Sequence, residues 1–529
     1  MAPDIAKVDA DRNLYLGLPA WDFSDGVLHW LLHGNSLLLL RRTCSSHFSG
    51  LILAETEPYC GRVVTMRLQC LLCLTLLPTG FLLSSRGQSA PHGDAQSARS
   101  QEAAELQQLL DRHEYIEYDD KLLATDSAHL TGPQNLYFSG MLLFHLGMLE
   151  NAAQRLSQVL SSDQEQSLSP AQIDEALETL GQINLRLTLY GAAAKVESML
   201  YQRLGSRMAR DRQVVSDRRH LVELLVNVPP LTIDLRDDFI LPAADAPLLT
   251  GPEYPVSIPG PAMPAKPLLA RFDSGAEVSI LSASTAKAWS VTMLEGTATL
   301  LGAGGSTYQA QPGFLPVLTI GKAQLHNVAV YVTADKNLYF SPLKVQLSAT
   351  LGFPVMRALG RLTFEQDGSL HVEAKSPERD PHSTTLWMAA HFLLIELATR
   401  PVFRNKTLVD LTDDRLFVLD TGSASTILTD HYLTEHMDTF KGQQPGTGTL
   451  GGIDGGHNVS VYQTLDVPLF ANSSGVMMLN GQPVLIQPML GPEENYFGII
   501  GQDVLSKAPG YTIDFRRMTF AILRNAAPK

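Results

Sequence analysis

The stretch LLARFDSGAEVSIL at residues 268–281 is matched later in the chain by RLFVLDTGSASTIL at residues 415–428. Each stretch has an apolar run, an acidic turn with glycine and a second apolar run, which is the pattern of two short strands joined by a turn. When Asp273 is aligned with Asp420, the following Gly, Ile and Leu positions coincide, and a hydroxyl residue stands one and six positions after each Asp. The two stretches therefore predict a duplicated β structure.

Two more features follow each stretch in the same order. A glycine cluster begins 29 residues after the first Asp (GAGG, residues 302–305) and 31 residues after the second (GGIDGG, residues 451–456). An apolar run that ends in glycine closes 79 residues after the first Asp (ATLG, 349–352) and 81 residues after the second (GIIG, 498–501). A short helical stretch and a β-hairpin are predicted after each run. Because order and offsets agree twice, the pattern predicts two related β-rich lobes.

This arrangement resembles the aspartic peptidases of the retropepsin and pepsin type, in which an Asp-Thr/Ser-Gly loop, a flap hairpin and an apolar-apolar-Gly strand recur in each half. The resemblance covers roughly residues 250–529. It implies a mainly β, two-lobed unit, a double retropepsin-like β-barrel, with the first lobe at residues 226–380 and the second at 381–529. The implied activity is that of an aspartic endopeptidase, whose cleft between the lobes holds an extended peptide or protein substrate.

The chemistry of such a site explains why two copies are needed. A single carboxylate on a turn is ionised at neutral pH, and it neither activates water nor protonates a leaving group. Two carboxylates within a few ångströms cannot both be charged, so the pair holds one proton. One Asp can then act as a base toward water while the other donates to the scissile carbonyl. We therefore predict Asp273 and Asp420 as the catalytic pair, without a metal or organic cofactor. The alternative is that each Asp only caps its own turn.

The residues after each Asp fit this arrangement as a supporting loop. Gly275 and Gly422 let the backbone approach closely, and the hydroxyl groups of Ser274 and Thr421 can hydrogen-bond across the lobe interface. The apolar runs that end in glycine are predicted to pack beneath the loops and to exclude water from the inner side of the carboxylates.

The glycine clusters are candidates for a flap over the substrate. Gly304 and Gly305 in the first copy, and Gly455 and Gly456 in the second, would form hairpin tips, and Tyr308 near the first tip could reach the carboxylates. Ordinary β-turns account for the same glycines equally well. Both interpretations stay open from the sequence.

Two further functions are open as well. A catalytically silent peptide-binding or scaffold protein could keep the double lobe, and copies from different chains could pair into an oligomer with active sites between subunits. Intact carboxylates at both positions favour the enzyme, and nearly equal copy lengths favour pairing within one chain. The copies also differ, because LGFPV at 351–355 lacks the acidic residue of GQDVL at 501–505.

Residues 99–225 have leucines at helical spacing, for example Leu106 and Leu110. An α-helical region is predicted here, with a faint likeness to tetratricopeptide helix pairs in GMLENAA at 147–153 and YGAAA at 190–194. The offset between these two segments is longer than that repeat, so generic helical packing is the favoured explanation. The region could contact a protein partner.

The first part of the chain has the features of an export signal. MRLQ at 66–69, an apolar run at 70–83 and a small polar finish have the three-part layout of a secretory signal peptide. We expect a signal peptide and short linker over 66–98, export to the periplasm or outside the cell, and translation from Met66, with residues 1–65 outside the natural product. The alternative is a buried apolar segment of an N-terminal domain. The run is too short for a stable membrane span after signal removal. All four cysteines precede residue 80: Cys44, Cys60, Cys70 and Cys73.

The composition bounds the remaining possibilities. The chain has 529 residues, of which 45% are apolar and 18% charged, which excludes a disordered chain and suggests two to four domains. A formal net charge of −14 argues against nucleic acid as a partner. The histidines lack metal-ligand spacing, and neither GxxxxGK[ST] nor GxSxG occurs. GTGTLG at 446–451 fits GxGxxG but lacks the strand-turn-helix context, so a hairpin is predicted there.

Overall fold

The computed structural model describes residues 92–523, which belong to one compact unit. Residues 1–65 and the predicted signal peptide up to residue 91 lie outside the described residues. A helix begins at His92, inside the segment predicted as signal peptide and linker. The gaps within the described range are 127–128, 162–167, 206–208, 245–250, 260–267, 302–306, 341–344, 390–391, 405–406, 453–454, 464–466, 472–474, 480–482 and 488–494.

In the described chain, seven α-helices precede the sheets. Thr131 and Ser169 cap two of them, because each side chain accepts a hydrogen bond from the backbone N–H of the Gln three residues later, and a proline stands in each first turn. These caps explain where the third and fifth helices begin. The seven helices are α1 (His92–Asp111), α2 (Tyr115–Ala124), α3 (Gly132–His145), α4 (Leu149–Leu160), α5 (Pro170–Arg186), α6 (Tyr190–Leu204) and α7 (Ala209–Leu224).

The first six helices form three consecutive pairs with the same kind of turn. The middle residue of each turn has a positive φ: 55° at His113, 67° at Gly147 and 57° at Thr188. The residue after it donates its backbone N–H to the carbonyl five residues earlier in all three turns, at 2.8 to 3.0 Å. The predicted helical region is therefore confirmed, with a repeated helix-turn-helix geometry. Its likeness to tetratricopeptide pairs stays a prediction.

The rest of the described chain contains 26 strands of two to fourteen residues, two 3-10 helices (Asp335–Leu338 and Met437–Phe440) and four short α-helices. The helices are α8 (Ala283–Ala288), α9 (Phe353–Leu359), α10 (Asp430–Glu435) and α11 (Gln502–Leu505). The strands are β1 (Thr232–Asp234), β2 (Phe239–Leu241), β3 (Glu253–Val256), β4 (Leu268–Phe272), β5 (Ser279–Ser282), β6 (Thr292–Met293), β7 (Ala298–Leu301), β8 (Thr307–Ile320), β9 (Ala323–Thr333), β10 (Tyr339–Phe340), β11 (Val345–Gln346), β12 (Ala349–Leu351), β13 (Arg361–Glu365), β14 (Leu370–Glu373), β15 (Thr384–Met388), β16 (Leu393–Arg404), β17 (Thr407–Leu419), β18 (Ile427–Thr429), β19 (Gly446–Gly452), β20 (Gly455–Gln463), β21 (Val467–Ala471), β22 (Gly475–Leu479), β23 (Pro483–Gln487), β24 (Gly498–Ile500), β25 (Gly510–Asp514) and β26 (Thr519–Ile522).

The described strands form two large sheets and one small pair, β10 with β11. A nine-stranded sheet has the order β3-β4-β12-β5-β9-β8-β6, with β1 added on β9 and β7 on β8. A fifteen-stranded sheet has the order β19-β20-β23-β18-β24-β17-β16-β15-β26-β25-β13-β14-β2, with β21 added on β16 and β22 on β21. The fold is thus mixed helical and β, and the mainly β description applies to the part that follows the helical region.

The same strand arrangement occurs once in each large sheet. In the first sheet, β12 lies parallel to β4 and antiparallel to β5, and β5 lies parallel to β9. In the second sheet, β24 lies parallel to β17 and antiparallel to β18, and β18 lies parallel to β23. These strands carry the residues that the sequence comparison aligned. The duplicated pattern therefore corresponds to a duplicated topology.

Two hairpins join the two arrangements into one body. The hairpin β13–β14 follows the first arrangement, and the hairpin β25–β26 follows the second. Strands β13 and β25 pair antiparallel, with Leu362 opposite Ile513 and Phe364 opposite Tyr511. All four of these side chains are buried, and the last two rings stack with their centroids 4.8 Å apart. Apolar burial across this shared sheet therefore holds the two arrangements together.

The helical region packs directly on the β-sheets. Nδ1 of His145 lies 2.8 Å from the Met388 carbonyl oxygen, and Nη2 of Arg186 donates to the Ala389 carbonyl oxygen at 3.1 Å. Both side chains are buried. Buried polar groups need such partners, so these bonds fix the position of the helices at the end of β15 and at the residue that follows it. Within the residues that the structure describes, every helix is too short or too polar to cross a bilayer.

Candidate active site

Asp273 and Asp420 occupy equivalent positions directly after β4 and β17. Asp273 N donates to the Leu351 carbonyl oxygen at 3.0 Å, and Asp420 N donates to the Ile500 carbonyl oxygen at 3.2 Å. Each bond joins the Asp to the end of the parallel neighbour strand, β12 or β24. In each loop, the N–H three residues after the Asp donates to the Asp carbonyl oxygen at 3.3 Å. The two turns thus have the same backbone structure.

Four reciprocal hydrogen bonds connect the two loops. Ser274 N donates to Thr421 Oγ1 at 3.0 Å, and Thr421 N donates to Ser274 Oγ at 3.0 Å. Ser274 Oγ donates to the Leu419 carbonyl oxygen at 2.6 Å, and Thr421 Oγ1 donates to the Phe272 carbonyl oxygen at 2.8 Å. Both hydroxyl side chains are almost fully buried. The loops are therefore held against each other at a fixed spacing.

The spacing places each carboxyl group over the glycine of the opposite loop. A Cβ atom added to Gly275 would lie 2.7 Å from Oδ2 of Asp420, and one added to Gly422 would collide with the Asp273 carboxyl group. Only glycine fits at these two positions. Gly275 N donates to Oδ1 of Asp273 and Gly422 N donates to Oδ1 of Asp420, both at 2.9 Å. Each carboxyl group thus lies against the loop of the other Asp, and the two groups affect each other's acidity.

Burial and mutual charge change the acidity of this pair. Burial raises the pKa of Asp273, and the positive charge of Arg271 offsets part of that rise. Burial raises the pKa of Asp420 well above its ordinary value, and the negative charge of Asp273 raises it further. A pair with raised pKa values retains a proton at pH values where isolated aspartates have lost theirs. Such a pair can accept and donate a proton at the same time.

The hydroxyl residues six positions after each Asp anchor the strands beneath the loops. Gly352 N donates to Ser279 Oγ at 3.1 Å, and Gly501 N donates to Thr426 Oγ1 at 3.1 Å. The second copy has an additional anchor, because Oδ1 of Asp503 accepts from Thr426 N at 2.8 Å and from Thr426 Oγ1 at 2.7 Å. The aligned hydroxyl positions were the sequence signal for these anchors.

The two predicted hairpins are present, one in each sheet. Strand β7 pairs with β8 around residues 302–306, so Gly304 and Gly305 lie outside the described residues. Tyr308 stands in β8 opposite Leu300, and its buried ring belongs to an apolar cluster that includes Tyr190 of the helical region. In the second sheet, β19 and β20 pair up to Gly452 and Gly455, with Gly451 opposite Gly456. The hairpin predicted at 446–451 is confirmed.

Sequence reasoning did not identify three polar contacts around the loops. Nε2 of Gln502 donates to the Thr421 carbonyl oxygen at 2.7 Å. Arg271, in the strand that leads to Asp273, is a buried cation whose charge acts on the carboxyl pair. Nη2 of Arg186 in α5 lies 3.6 Å from Oε1 of Glu277, in the loop after Asp273. No sequence pattern pointed to these contacts, because their partners are distant along the chain or on another strand.

Comparison with known protein families gives a match over the first of the two repeated copies. Residues 255–355 match the model of a family described as aspartyl protease. The matched range contains Asp273, its supporting loop and β12, and it ends before the second copy begins. No curated protein matches the chain. In the described part of the chain, no group of three His, Cys, Asp or Glu side chains is placed to hold a metal ion. Residues 255–355 therefore carry the features of an aspartyl protease domain.

Proposed function

We propose that this protein is an aspartic endopeptidase that hydrolyses peptide bonds with a water activated between Asp273 and Asp420 of the same chain. The observation that carries the proposal is the placement of each carboxyl group against the glycine of the opposite loop, in two loops that hydrogen-bond to each other through Ser274 and Thr421. The family match over residues 255–355 supports it independently. The repeated strand arrangement supports a two-lobed, retropepsin-like catalytic unit.

The reaction follows from a pair that holds one proton. The charged carboxylate takes a proton from a water placed between the two groups, and the hydroxide formed attacks the carbonyl carbon of the peptide. The protonated carboxyl group donates to the carbonyl oxygen, so the tetrahedral intermediate forms without a separated negative charge. Collapse of this intermediate breaks the C–N bond, and the amine leaves with a proton from the pair. The anchored loops supply the fixed geometry that this exchange needs.

Substrate binding is proposed to involve the two hairpins. In the sequence, the segments that join β7 to β8 and β19 to β20 are rich in glycine. An extended peptide between the lobes could form strand-like hydrogen bonds to such hairpins, with apolar side chains in pockets. Binding of this kind uses the peptide backbone, so an unfolded protein is the appropriate first substrate. Because residues 66–98 have the layout of a secretory signal peptide and linker, we also propose that the enzyme acts after export.

The test is proteolysis of an unfolded protein by the purified full chain, scanned from about pH 3 to 8 because the acidity of the pair sets the active range. Asp273→Asn and Asp420→Asn should each lower kcat/KM by at least about a hundredfold, with unchanged circular dichroism. Asp367→Asn is the matched control, since Asp367 lies in the turn of β13–β14 and accepts a hydrogen bond from Ser369 N at 2.8 Å. Mass spectrometry should find internal peptide fragments. Retained cleavage in either dyad variant would refute the proposal.

A mixing experiment separates this proposal from an oligomer with active sites between subunits. When Asp273→Asn is mixed with Asp420→Asn, pairing between chains would recombine one intact Asp of each variant and restore cleavage. Pairing within one chain predicts that the mixture stays inactive at every ratio. Recovered activity in the mixture would therefore overturn the intrachain site while keeping the peptidase activity.

A further inference from the structure

The strand before the first carboxyl group carries a buried cation that the second copy lacks. Arg271 lies in β4, two residues before Asp273, and only 4% of it is exposed. The equivalent residue before Asp420 is Val418, which is apolar and buried. Alternate residues of a strand face the same side, so Arg271 and Asp273 share one side of the chain. The charges around the two carboxyl groups are therefore unequal, although the backbone is repeated.

Glu253 holds this cation from the neighbouring strand. Strands β3 and β4 are antiparallel, with Glu253 opposite Arg271. Nη2 of Arg271 lies 3.7 Å from Oε1 of Glu253. The charged groups that act on the guanidinium are Asp273, Glu253 and Asp420, in decreasing order of strength. A buried cation requires negative partners, so Arg271 is shared between Glu253 and the carboxyl pair.

We propose that Arg271 is a positioning residue that places the single negative charge of the pair on Asp273, so that Asp273 is the base toward water and Asp420 the acid toward the carbonyl oxygen. The assignment of chemical roles rests on the proposed function, whereas the placement of charge does not require turnover. The physical reason is that the buried Arg271 stands two residues before Asp273 in the same strand, whereas the buried residue two positions before Asp420 is the uncharged Val418.

The acidity of the two groups agrees with this placement. Arg271 lowers the pKa of Asp273 against the effect of burial. The pKa of Asp420 is raised by burial and again by the charge of Asp273, and Arg271 interacts less with Asp420 than with Asp273. Both directions favour a shared proton on Asp420 and the negative charge on Asp273. Without the cation, two such similar turns would share it more evenly.

The first measurement is the acidic limb of the pH profile of kcat/KM, which reports the first ionisation of the pair. Arg271→Met should move this limb to higher pH by about one unit, the size expected for loss of a nearby opposite charge. Glu253→Gln should move it to lower pH, because the cation then acts on the pair alone. Arg271→Lys keeps the positive charge, so its acidic limb should lie at the wild-type pH. Val418 is the matched position in the second copy, and Val418→Ala should likewise leave the pH of the limb unchanged.

These directions distinguish charge placement from a purely structural role. If Arg271 only packed β3 against β4, both Arg271→Met and Glu253→Gln would lower the thermal midpoint and leave the limb where it is. Opposite shifts of the limb cannot come from loosened packing. The proposal would be overturned if the acidic limb of kcat/KM stayed at the wild-type pH in Arg271→Met and Glu253→Gln, or if it moved in the same direction in both.

The second measurement is chemical labelling of the full chain, which needs no turnover. A small epoxide is opened by a carboxylate, so the ester should form mainly on Asp273, as mapped by peptide mass spectrometry. In Arg271→Met the preference for Asp273 over Asp420 should fall by about tenfold, which is one pKa unit. Esters on Asp420, on both groups equally or on neither in the wild type would contradict the proposal. Labelling as expected, in a chain that cleaves no peptide, would refute the peptidase activity but retain the charge placement.

Discussion

Asp273 and Asp420 follow strands with an equivalent parallel neighbour in each sheet, and yet the two residues differ in acidity. Both are partly buried, and the raised pKa values mean that the folded protein binds protons more tightly at this site than the unfolded chain does. Groups with a raised folded-state pKa contribute stability that is complete below the unfolded pKa and is lost as pH rises through the folded value. The site is therefore expected to reduce the stability of the fold near neutral pH.

Replacement of Asp420 tests this linkage between site and stability. Asp420→Asn removes the carboxyl group with the larger rise, so its thermal midpoint should exceed that of the wild type at pH 7. The difference should close as pH falls below 3.8, the ordinary Asp pKa, because both proteins are then uncharged at this position. Calorimetry of both proteins from pH 7 down to below pH 3.8 measures this difference in thermal midpoint.

Asp367 provides the opposite control for that experiment. Hydrogen bonds from Ser369 lower the pKa of this exposed carboxyl group. A lowered folded-state pKa contributes stability that is present at neutral pH and is lost in acid. Asp367→Asn should therefore lower the midpoint slightly at pH 7 and not in acid. A difference between Asp420→Asn and wild type that is constant with pH would contradict the account.

At the scale of elements, the first hairpin is held from outside by the helical region. Leu225, just after α7, and Tyr190 of α6 share a buried apolar cluster with Leu300 and Tyr308 of the hairpin β7–β8. Nε2 of His220 in α7 lies 3.0 Å from the carbonyl oxygen of Thr297, directly before β7. The contacts of this hairpin therefore include helices as well as strands, so any displacement of β7 and β8 works against this packing.

Leu225→Ala should loosen this hairpin specifically. Leu225 is 1% exposed, and a buried Leu→Ala change costs about 2–5 kcal/mol. Hydrogen exchange followed by mass spectrometry should show faster exchange in β7 and β8, with smaller changes in β19 and β20. Val226→Ala is the control, since Val226 is 45% exposed and one position away. Equal loss of protection in both hairpins would argue against a local role of this contact.

For the whole molecule, the helical region and the β-sheets share one apolar core and buried polar bonds. His145 illustrates how acid acts on this junction. Burial lowers its pKa to about 3, and the nearby charges of His113 and Arg186 act in the same direction. A depressed folded-state pKa contributes stability that is present above the ordinary His value of 6.5 and is lost as pH falls toward 3. Acid therefore weakens the attachment of the helices.

His145→Gln should remove this part of the acid sensitivity. The amide can still donate to the Met388 carbonyl oxygen, but it does not titrate. We expect the variant to lose less stability than the wild type between pH 6.5 and 3, measured as denaturant midpoints on the full chain. Parallel pH curves for the two proteins would show that His145 does not control the junction in acid.

Several elements of the fold could be predicted from the sequence because they depend on close neighbours along the chain. The apolar run before Asp273 becomes β4, with the predicted bounds Leu268–Phe272. The run before Asp420 becomes β17, which begins earlier than predicted, at Thr407, because β16 extends beside it as a long partner strand. A strand end that depends on its partner cannot be read from local composition.

The amino-acid order was sufficient to establish the duplication, the turns with their two carboxyl groups, the glycine hairpins and the helical region, since each is a pattern of nearby residues. Folding in three dimensions was needed to bring the carboxyl groups together, to set Glu253 opposite Arg271, and to pack helices on the hairpin. Acidity and hydrogen bonding depend on distances in space, and residues that are remote along the chain acquire those distances only when the sheets assemble.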